Sequence, residues 1–342
     1  MYKVTIGIPV YNVEKYIEKS LLSALNQTFN SIEYIIVDGG GTDKSMNIVR
    51  DIVASHPRRN NVVILTQLKN LGIGEDRNLI IKNTKSEYLF FLDSDDDITT
   101  DCIQKLYEAA MMNPCADIIT AHNRVIYPNY TYERSYEYHK YTTKQEIFHA
   151  YLKGEVGGVF WNKLYRVDFL KRNSIFTTNS MISEDVSFEL QEVYFANKII
   201  SLPVITYNYY RRGIPANSLS SNLSYLDKRS NVLIDVFNRY IVQRKFGVEC
   251  EIILINYVLL LLYDAGTLYA DKKAYLDLVE KMYSKVLKHS TIRIIVCNKN
   301  LSLRQKMCSF IMILPSKYIR AGYIHLLSKI GEFKRFITSH HG

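Results

Sequence analysis

The stretch Tyr88–Asp97, YLFFLDSDDD, joins five apolar or aromatic residues to four carboxylates in five positions, Asp93, Asp95, Asp96 and Asp97. The apolar half predicts a strand buried on both faces. The acidic half needs a countercharge, because close carboxylates raise one another's pKa. A divalent cation supplies one, and hard oxygen ligands suit magnesium or manganese. A solvated acidic turn capping the next helix reads the same residues without a metal. A calcium loop of the EF-hand type is excluded. Asp93, Asp95 and Asp97 have its alternating spacing, but Ile98 stands where the turn glycine belongs and Gln104 where the bidentate glutamate belongs.

The elements that must position these carboxylates follow from apolar patterning. Lys3–Val10 predicts a first strand, ended by Pro9 and the polar pair Tyr11-Asn12, with Asn12 as N-cap of a helix striped by Ile17, Leu21, Ala24 and Leu25. Ile32–Asp38 predicts a second buried strand running into Gly39-Gly40-Gly41 and a helix to about Ala54. Val62–Thr66 predicts a third strand, Asn70–Thr84 a glycine-punctuated turn and helix, and Tyr88–Asp93 the fourth strand. A helix over Thr99–Met112 and a strand at Asp117–Ala121 follow. Strands and helices alternating at this spacing predict an α/β fold, a Rossmann-like, mainly parallel sheet with helices on both faces. Ligands of such sheets bind beyond the carboxyl ends of the strands, which is where Pro9, Tyr11, Asp38 and Asp93 lie. Gly39–Gly41 is not a dinucleotide fingerprint: Lys44 replaces the third glycine, and Asp38 directly before the turn would repel a pyrophosphate. Asp38 suits a base or ribose instead; glycines simply making a tight turn explain the same residues.

At 342 residues and 47% hydrophobic, the chain can bury one large or two modest domains. Its start, MYKVTIGIPVYN, has no apolar secretory core, and its longest apolar runs, around Ile252–Tyr263 and Met307–Leu314, are too short to cross a bilayer. Five scattered cysteines fit reduced thiols in a cytoplasmic protein and no zinc site. The net charge of +9 is lopsided: from Asp271 to Gly342 fourteen basic side chains face four acidic ones, so that segment carries +10 and everything before it −1. Such an end points to a polyanionic surface, a membrane leaflet or nucleic acid.

Four segments, VTIGIPVYN, EYIIVDGGGTDKS, NLGIGEDRN and FLDSDD, in this order and spacing resemble the motifs of inverting family 2 glycosyltransferases with the GT-A fold. The resemblance covers about the first 120 residues strongly and continues more loosely through VFWNKLYR (159–166) and SEDVSFE (183–189). It implies that Asp38 and Arg77 hold a nucleotide, that Asp93 faces the ribose, and that Asp95 binds the Mn²⁺ or Mg²⁺ bridging a diphosphate. It also implies a catalytic base in the Glu184-Asp185 pair, with Asp185 preferred; by residue type alone, acids at a helix start merely complement its dipole. One departure stands out: many members carry a second Asp in VDDGSTD, and here that position is Gly39. The resemblance extends to bacterial capsule, O-antigen and exopolysaccharide enzymes, implying a nucleotide-sugar donor, most simply UDP-linked, and a saccharide acceptor, free or lipid-linked.

Later segments add weaker signals. Tyr127–Tyr141 is dense in tyrosine and reads as an exposed hairpin rather than a sugar platform. Trp161, the only tryptophan, is an acceptor-pocket candidate and equally a core residue. Arg211 and Arg212, before Gly213 and Pro215, suit a loop closing over a diphosphate, or an ordinary surface turn. From Ser224 the pattern is helical, with Ile252–Leu262 as core or homodimer seam. After Pro315 the residues Ile319, Tyr323, Leu326, Ile330, Phe333 and Ile337 form an apolar stripe among basic residues, suited to an anionic membrane interface on the cytoplasmic side or to packing on the domain. An anionic membrane rather than nucleic acid is the expected partner of this end. Expected divisions are 1–122 for nucleotide-sugar binding, 123–222 for acceptor and catalysis within one domain, and 223–342 for a helical region. Two rivals are a nucleotidyltransferase, which lacks its usual glycine- and lysine-rich phosphate loop here, and a nucleotide-sugar-binding protein without turnover.

Overall fold

Three buried apolar runs lie side by side as parallel strands and give the sheet its spine: β1 (Val4–Val10), β2 (Ile32–Asp38) and β4 (Tyr88–Phe91). The computed structural model describes residues 2–67, 69–133, 137–178, 182–212, 223–267, 272–289, 311 and 314–329. Two compact units divide the chain, residues 1–151 with 158–213, and residues 152–157 with 214–342.

In the first unit, β3 (Val62–Thr66) adds to β2 in parallel, so the order β3-β2-β1-β4 reverses direction of growth between β1 and β4. That reversal opens a crevice at the strands' carboxyl ends. Helices α1 (Ile17–Leu25), α2 (Ser45–Ser55), α3 (Ile73–Asn83) and α4 (Cys102–Met112) fill the connections. Each places its apolar stripe in the core; Ile17, Leu21, Ala24 and Leu25 of α1 are all buried.

Beyond β4 the sheet departs from the mainly parallel expectation. After the two-residue strand β5 (Asp97–Ile98), β6 (Ile118–Ile126) begins, and β9 (Lys163–Arg166) inserts between β4 and β6, antiparallel to both. β10 (Ile199–Tyr210) then pairs with β6 in parallel and with β5 antiparallel. The strand after Asp117 is therefore longer than expected and runs across residue 122. The tyrosine-rich stretch forms β7 (Thr131–Glu133), which hairpins onto β6, and β8 (His139–Tyr141), with Tyr127 stacked on Tyr130 at 4.3 Å between ring centroids. Helices α5 (Lys144–Leu152), α6 (Val167–Arg172) and α7 (Glu184–Phe195) complete this part.

The expected cap at Asn12 is different, and Ser183 does not cap its helix either. Asn12 takes positive φ (51°) and α1 starts only at Ile17; the Asn12 side chain instead accepts the Thr42 N–H at 2.8 Å, tying the end of β1 to the glycine turn. Ser183 precedes α7 but is left-handed (φ 53°) and makes no capping bond.

In the second unit α8 (Leu223–Val236) continues into a π-helical turn (Phe237–Gln243), followed by α9 (Val248–Thr267), α10 (Lys272–Lys285) and α11 (Lys317–Lys329). α9 is the apolar helix expected from the sequence, with Leu254, Val258, Leu261 and Leu262 fully buried against α8, α10 and α11. No helix among the described residues is long and apolar enough to cross a membrane.

Candidate active site

The carboxyl ends of β1, β2 and β4 carry the polar residues that the sequence singles out. Pro9 is buried in β1, while Tyr11, just beyond it, is 47% exposed. Asp38 ends β2 and accepts the Gly40 N–H at 3.1 Å, with Arg50 3.7 Å from its other oxygen.

Arg77, on the second turn of α3, is the hub. It is 3% exposed, donates to Asp93 Oδ1 at 2.8 Å and to Glu184 Oε1 at 2.5 Å, and lies 4.2 Å above the Phe160 ring. Burial alone would pull the guanidinium pKa down; Asp93 and Glu184 reverse this and hold it firmly protonated. One fixed cation thus joins the fourth strand's acidic end to the start of α7. The join depends on Gly74 one turn earlier, where a β carbon would lie 2.7 Å from Thr177 Oγ1, 2.9 Å from the Thr178 carbonyl and 3.2 Å from Glu184 Cβ.

With Glu184 turned to Arg77, the adjacent Asp185 is only half-buried; its Oδ1 accepts the Val186 N–H at 2.9 Å. The two acids of the pair therefore have separate surroundings.

The acidic turn finds much of its countercharge in the protein itself. Arg212 donates to Asp95 Oδ2 at 2.7 Å, also reaches the Asp95 backbone carbonyl, and lies 3.7 Å above the Tyr16 ring. Lys19 pairs with Asp97 at 2.7 Å. Asp96 pairs with no cation among the described residues: it accepts the Tyr207 hydroxyl at 3.0 Å and the Tyr210 N–H at 2.9 Å, and burial, then the charges of Asp95 and Asp93, push it up to about 8. Burial and Asp93 also raise Asp95, against the pull of Arg212. Asp96 is therefore a structural acid, protonated at neutral pH, rather than part of an ionised cluster.

Asp93 and Asp95 fit a hard divalent cation. Their side chains are 23% and 44% exposed, and each gives one oxygen to a guanidinium. Among the described residues no group of three or more His, Cys, Asp or Glu side chains forms a metal cage. A two-carboxylate set suits magnesium or manganese, which take the rest of their shell from substrate phosphates and water.

Arg212 is thus brought to the acidic turn. Arg211 follows β10, its backbone N–H bonded to the Ile126 carbonyl at 2.9 Å; the rest of the expected loop, from residue 213, lies outside the described residues. Trp161 is a correction. It is 8% exposed, sits in the core cluster and stacks on Tyr207 and Tyr209 of β10 at 4.5 and 5.2 Å between ring centroids. It backs the strand that carries Tyr207 and offers no open face to an acceptor. Tyr16, under Arg212, carries no motif signal; Phe160, under Arg77, lies within the loosely matched VFWNKLYR segment, and neither ring contact was expected.

Residues 5–173 match the family model described as Glycosyl transferase family 2. A Haemophilus influenzae protein named "Uncharacterized glycosyltransferase" is 36% identical over 110 residues, 32% of this chain and 43% of that protein. The chain thus spans less than half of that relative's length. The Bacillus subtilis "Uncharacterized glycosyltransferase EpsJ" is 28% identical over 249 residues, 69% of this chain and 70% of its own. Among solved structures, S. aureus TarS 1-349 in complex with UDP-GlcNAc superposes with a TM-score of 0.68 at 19% identity, covering 97% of this chain and 92% of that one.

Proposed function

This chain belongs to glycosyl transferase family 2 through residues 5–173, and from that premise we propose a metal-dependent, inverting transfer of one sugar from a UDP-sugar to a saccharide acceptor. The observation that carries the reading is the convergence of Arg77, Asp93, Glu184 and the adjacent Asp185 at the carboxyl ends of a GT-A sheet.

Roles follow from surroundings. Asp38 and Asp93 bind the nucleoside, with Arg77 holding Asp93 and Glu184 in place. Pro9 and Tyr11 form the crevice wall beside them. Inversion is an in-line displacement at the anomeric carbon, which requires a carboxylate to take the acceptor hydroxyl's proton opposite the departing diphosphate. Asp185, half-buried in the first turn of α7, takes that role, and Glu184 holds Arg77. Asp95, with Asp93 beside it, would hold Mn²⁺ or Mg²⁺, which supplies Lewis-acid stabilisation of the leaving diphosphate when bound. Arg212, and Arg211 next to it, would add hydrogen bonds to the same phosphates once Arg212 leaves Asp95.

The acceptor is proposed to be lipid-linked, with the chain held at a membrane through α11. There Tyr318, Ile319 and Leu326 are 65%, 50% and 57% exposed, an apolar face beside Lys317. Arg320 is not part of that face: it is 3% exposed, pairs with Glu280 at 2.7 Å and stacks on Tyr283 at 3.5 Å. Of the remaining stripe positions, Tyr323 is half-buried, and Ile330, Phe333 and Ile337 lie outside the described residues.

The test is UDP release from a panel of UDP-sugars with a saccharide acceptor. Release should need Mn²⁺ or Mg²⁺, stop in EDTA and be lost in Asp95→Ala. Release that persists in EDTA or in the variant overturns the metal role; no release under any condition leaves a binding protein without turnover.

A further inference from the structure

The glycine turn after β2 conceals a substitution of position. At Gly39 a β carbon would lie 2.9 Å from Asp76 Oδ2 and 3.2 Å from the Val10 carbonyl oxygen. The space beside the end of β2 is therefore already taken by a carboxylate from a different element, the first turn of α3. Asp76 is 3% exposed, and its described hydrogen-bond donor is the Gln67 amide, which binds Oδ1. Oδ2 is the oxygen turned to the glycine turn.

Three features make this carboxylate more than a loop fastener. A carboxylate desolvated to this degree is costly unless something repays it, and one amide would be a small return. Gly39 carries no side chain, and its own N–H is bonded to the Val10 carbonyl at 3.0 Å, so nothing from the turn itself screens Oδ2. Asp76 also lies on the β2 side of the crevice, next to Asp38, while the phosphate-handling residues Asp93, Asp95 and Arg212 lie on the β4 side. A nucleoside diphosphate laid across the crevice with its phosphates at β4 directs its base to β2.

We propose that Asp76 reads the nucleobase of the donor: its Oδ2 accepts the imide N3–H of a uracil seated over Gly39, leaving Asp38 for the ribose. This rests on the nucleotide-sugar reading above. The chemistry discriminates. Uracil presents a donor at N3, whereas cytosine presents a lone pair there, which a carboxylate repels. Burial pushes Asp76 up to about 6, with Gln67 and Arg77 drawing it down and Glu75 and Asp38 raising it, so the acceptor form prevails at neutral pH and above.

The experiment is calorimetric binding of UDP and CDP at pH 7.5 with Mn²⁺ present, to wild type, Asp76→Asn and Gly39→Ala, each checked for an unchanged circular dichroism spectrum. The asparagine is isosteric, but its amide can donate to cytosine N3. Loss of a hydrogen bond to a charged group should weaken UDP by about 10–100-fold in Asp76→Asn, with CDP binding unchanged or tighter. Gly39→Ala should push Oδ2 aside and narrow the UDP/CDP ratio in the same direction. A structural fastener would lower both affinities together. An unchanged UDP/CDP ratio in both variants overturns the assignment while leaving the donor reading intact. A wild type that binds CDP as well as UDP overturns it too. A wild type that binds neither nucleotide overturns the donor reading itself.

Discussion

At the scale of single residues, the centre is governed by which charges are already spoken for. Glu184 and Asp185 are neighbours in sequence, and Glu184 is fixed to the buried guanidinium of Arg77. Asp185→Asn should keep UDP-sugar affinity within a few-fold and slow transfer by about 10²–10⁴-fold, read from donor titration and initial rates. Near-normal transfer would shift the base to Glu184. Asp96 gives a second expectation, on stability. Its folded pKa of about 8 lies above the ordinary carboxylate value near 3.8, so the folded state binds the extra proton between those values. Stability from this group is full below pH 4 and falls as pH rises towards 8. In the metal-free protein, a thermal melt should therefore drop from pH 5 to pH 8, with a shallower slope in Asp96→Asn; equal slopes would show that Asp96 is ionised in the fold. Of these residues, Asp93, Asp95 and Arg77 stand out in the sequence because their motifs are compact. Arg77's grip on Glu184 does not, since 107 residues separate them. Nor does the neutrality of Asp96, which comes from burial first and then from the charges of Asp95 and Asp93, against the hydrogen bonds from Tyr210 and Tyr207.

At the scale of elements, the precision of the centre depends on how closely α3 approaches α7. Gly74 sets that approach, since any side chain there meets Thr177, Thr178 and Glu184 within 3.2 Å. Gly74→Ala should cost about 1–3 kcal/mol by overpacking, measured by urea denaturation, and should weaken UDP binding because Arg77 rides on the same helix. Full stability with full affinity would mean the contact relaxes freely. The first four parallel or crossover elements were readable because each strand is a short apolar run between turn residues and each helix carries a clear stripe. The antiparallel entry of β9 was not, because pairing partners are chosen by the whole sheet and leave no mark on a four-residue run. Asn12 misled for a related reason: a residue that suits a helix cap also suits a left-handed corner, and the Thr42 N–H it reaches lies 30 residues away.

At the scale of the molecule, each compact unit has its own logic. In the helical unit α11 turns Arg320 inward and leaves Tyr318, Ile319 and Leu326 outward, so an expected basic position of that helix is not on its exposed side. Ile319→Glu with Leu326→Glu should reduce sedimentation with anionic phospholipid vesicles several-fold without changing the circular dichroism spectrum; undiminished sedimentation would place any anchor elsewhere. In the sheet unit, the pairing of Asp95 with Arg212, Asp93 with Arg77 and Asp97 with Lys19 leaves the acidic turn internally balanced at rest. A fold balanced in this way has no standing need for an ion of its own. On the proposed reading, an Mn²⁺ or Mg²⁺ held by Asp95 would arrive and depart with the donor's phosphates, a travelling companion of the substrate rather than a fixture of the protein.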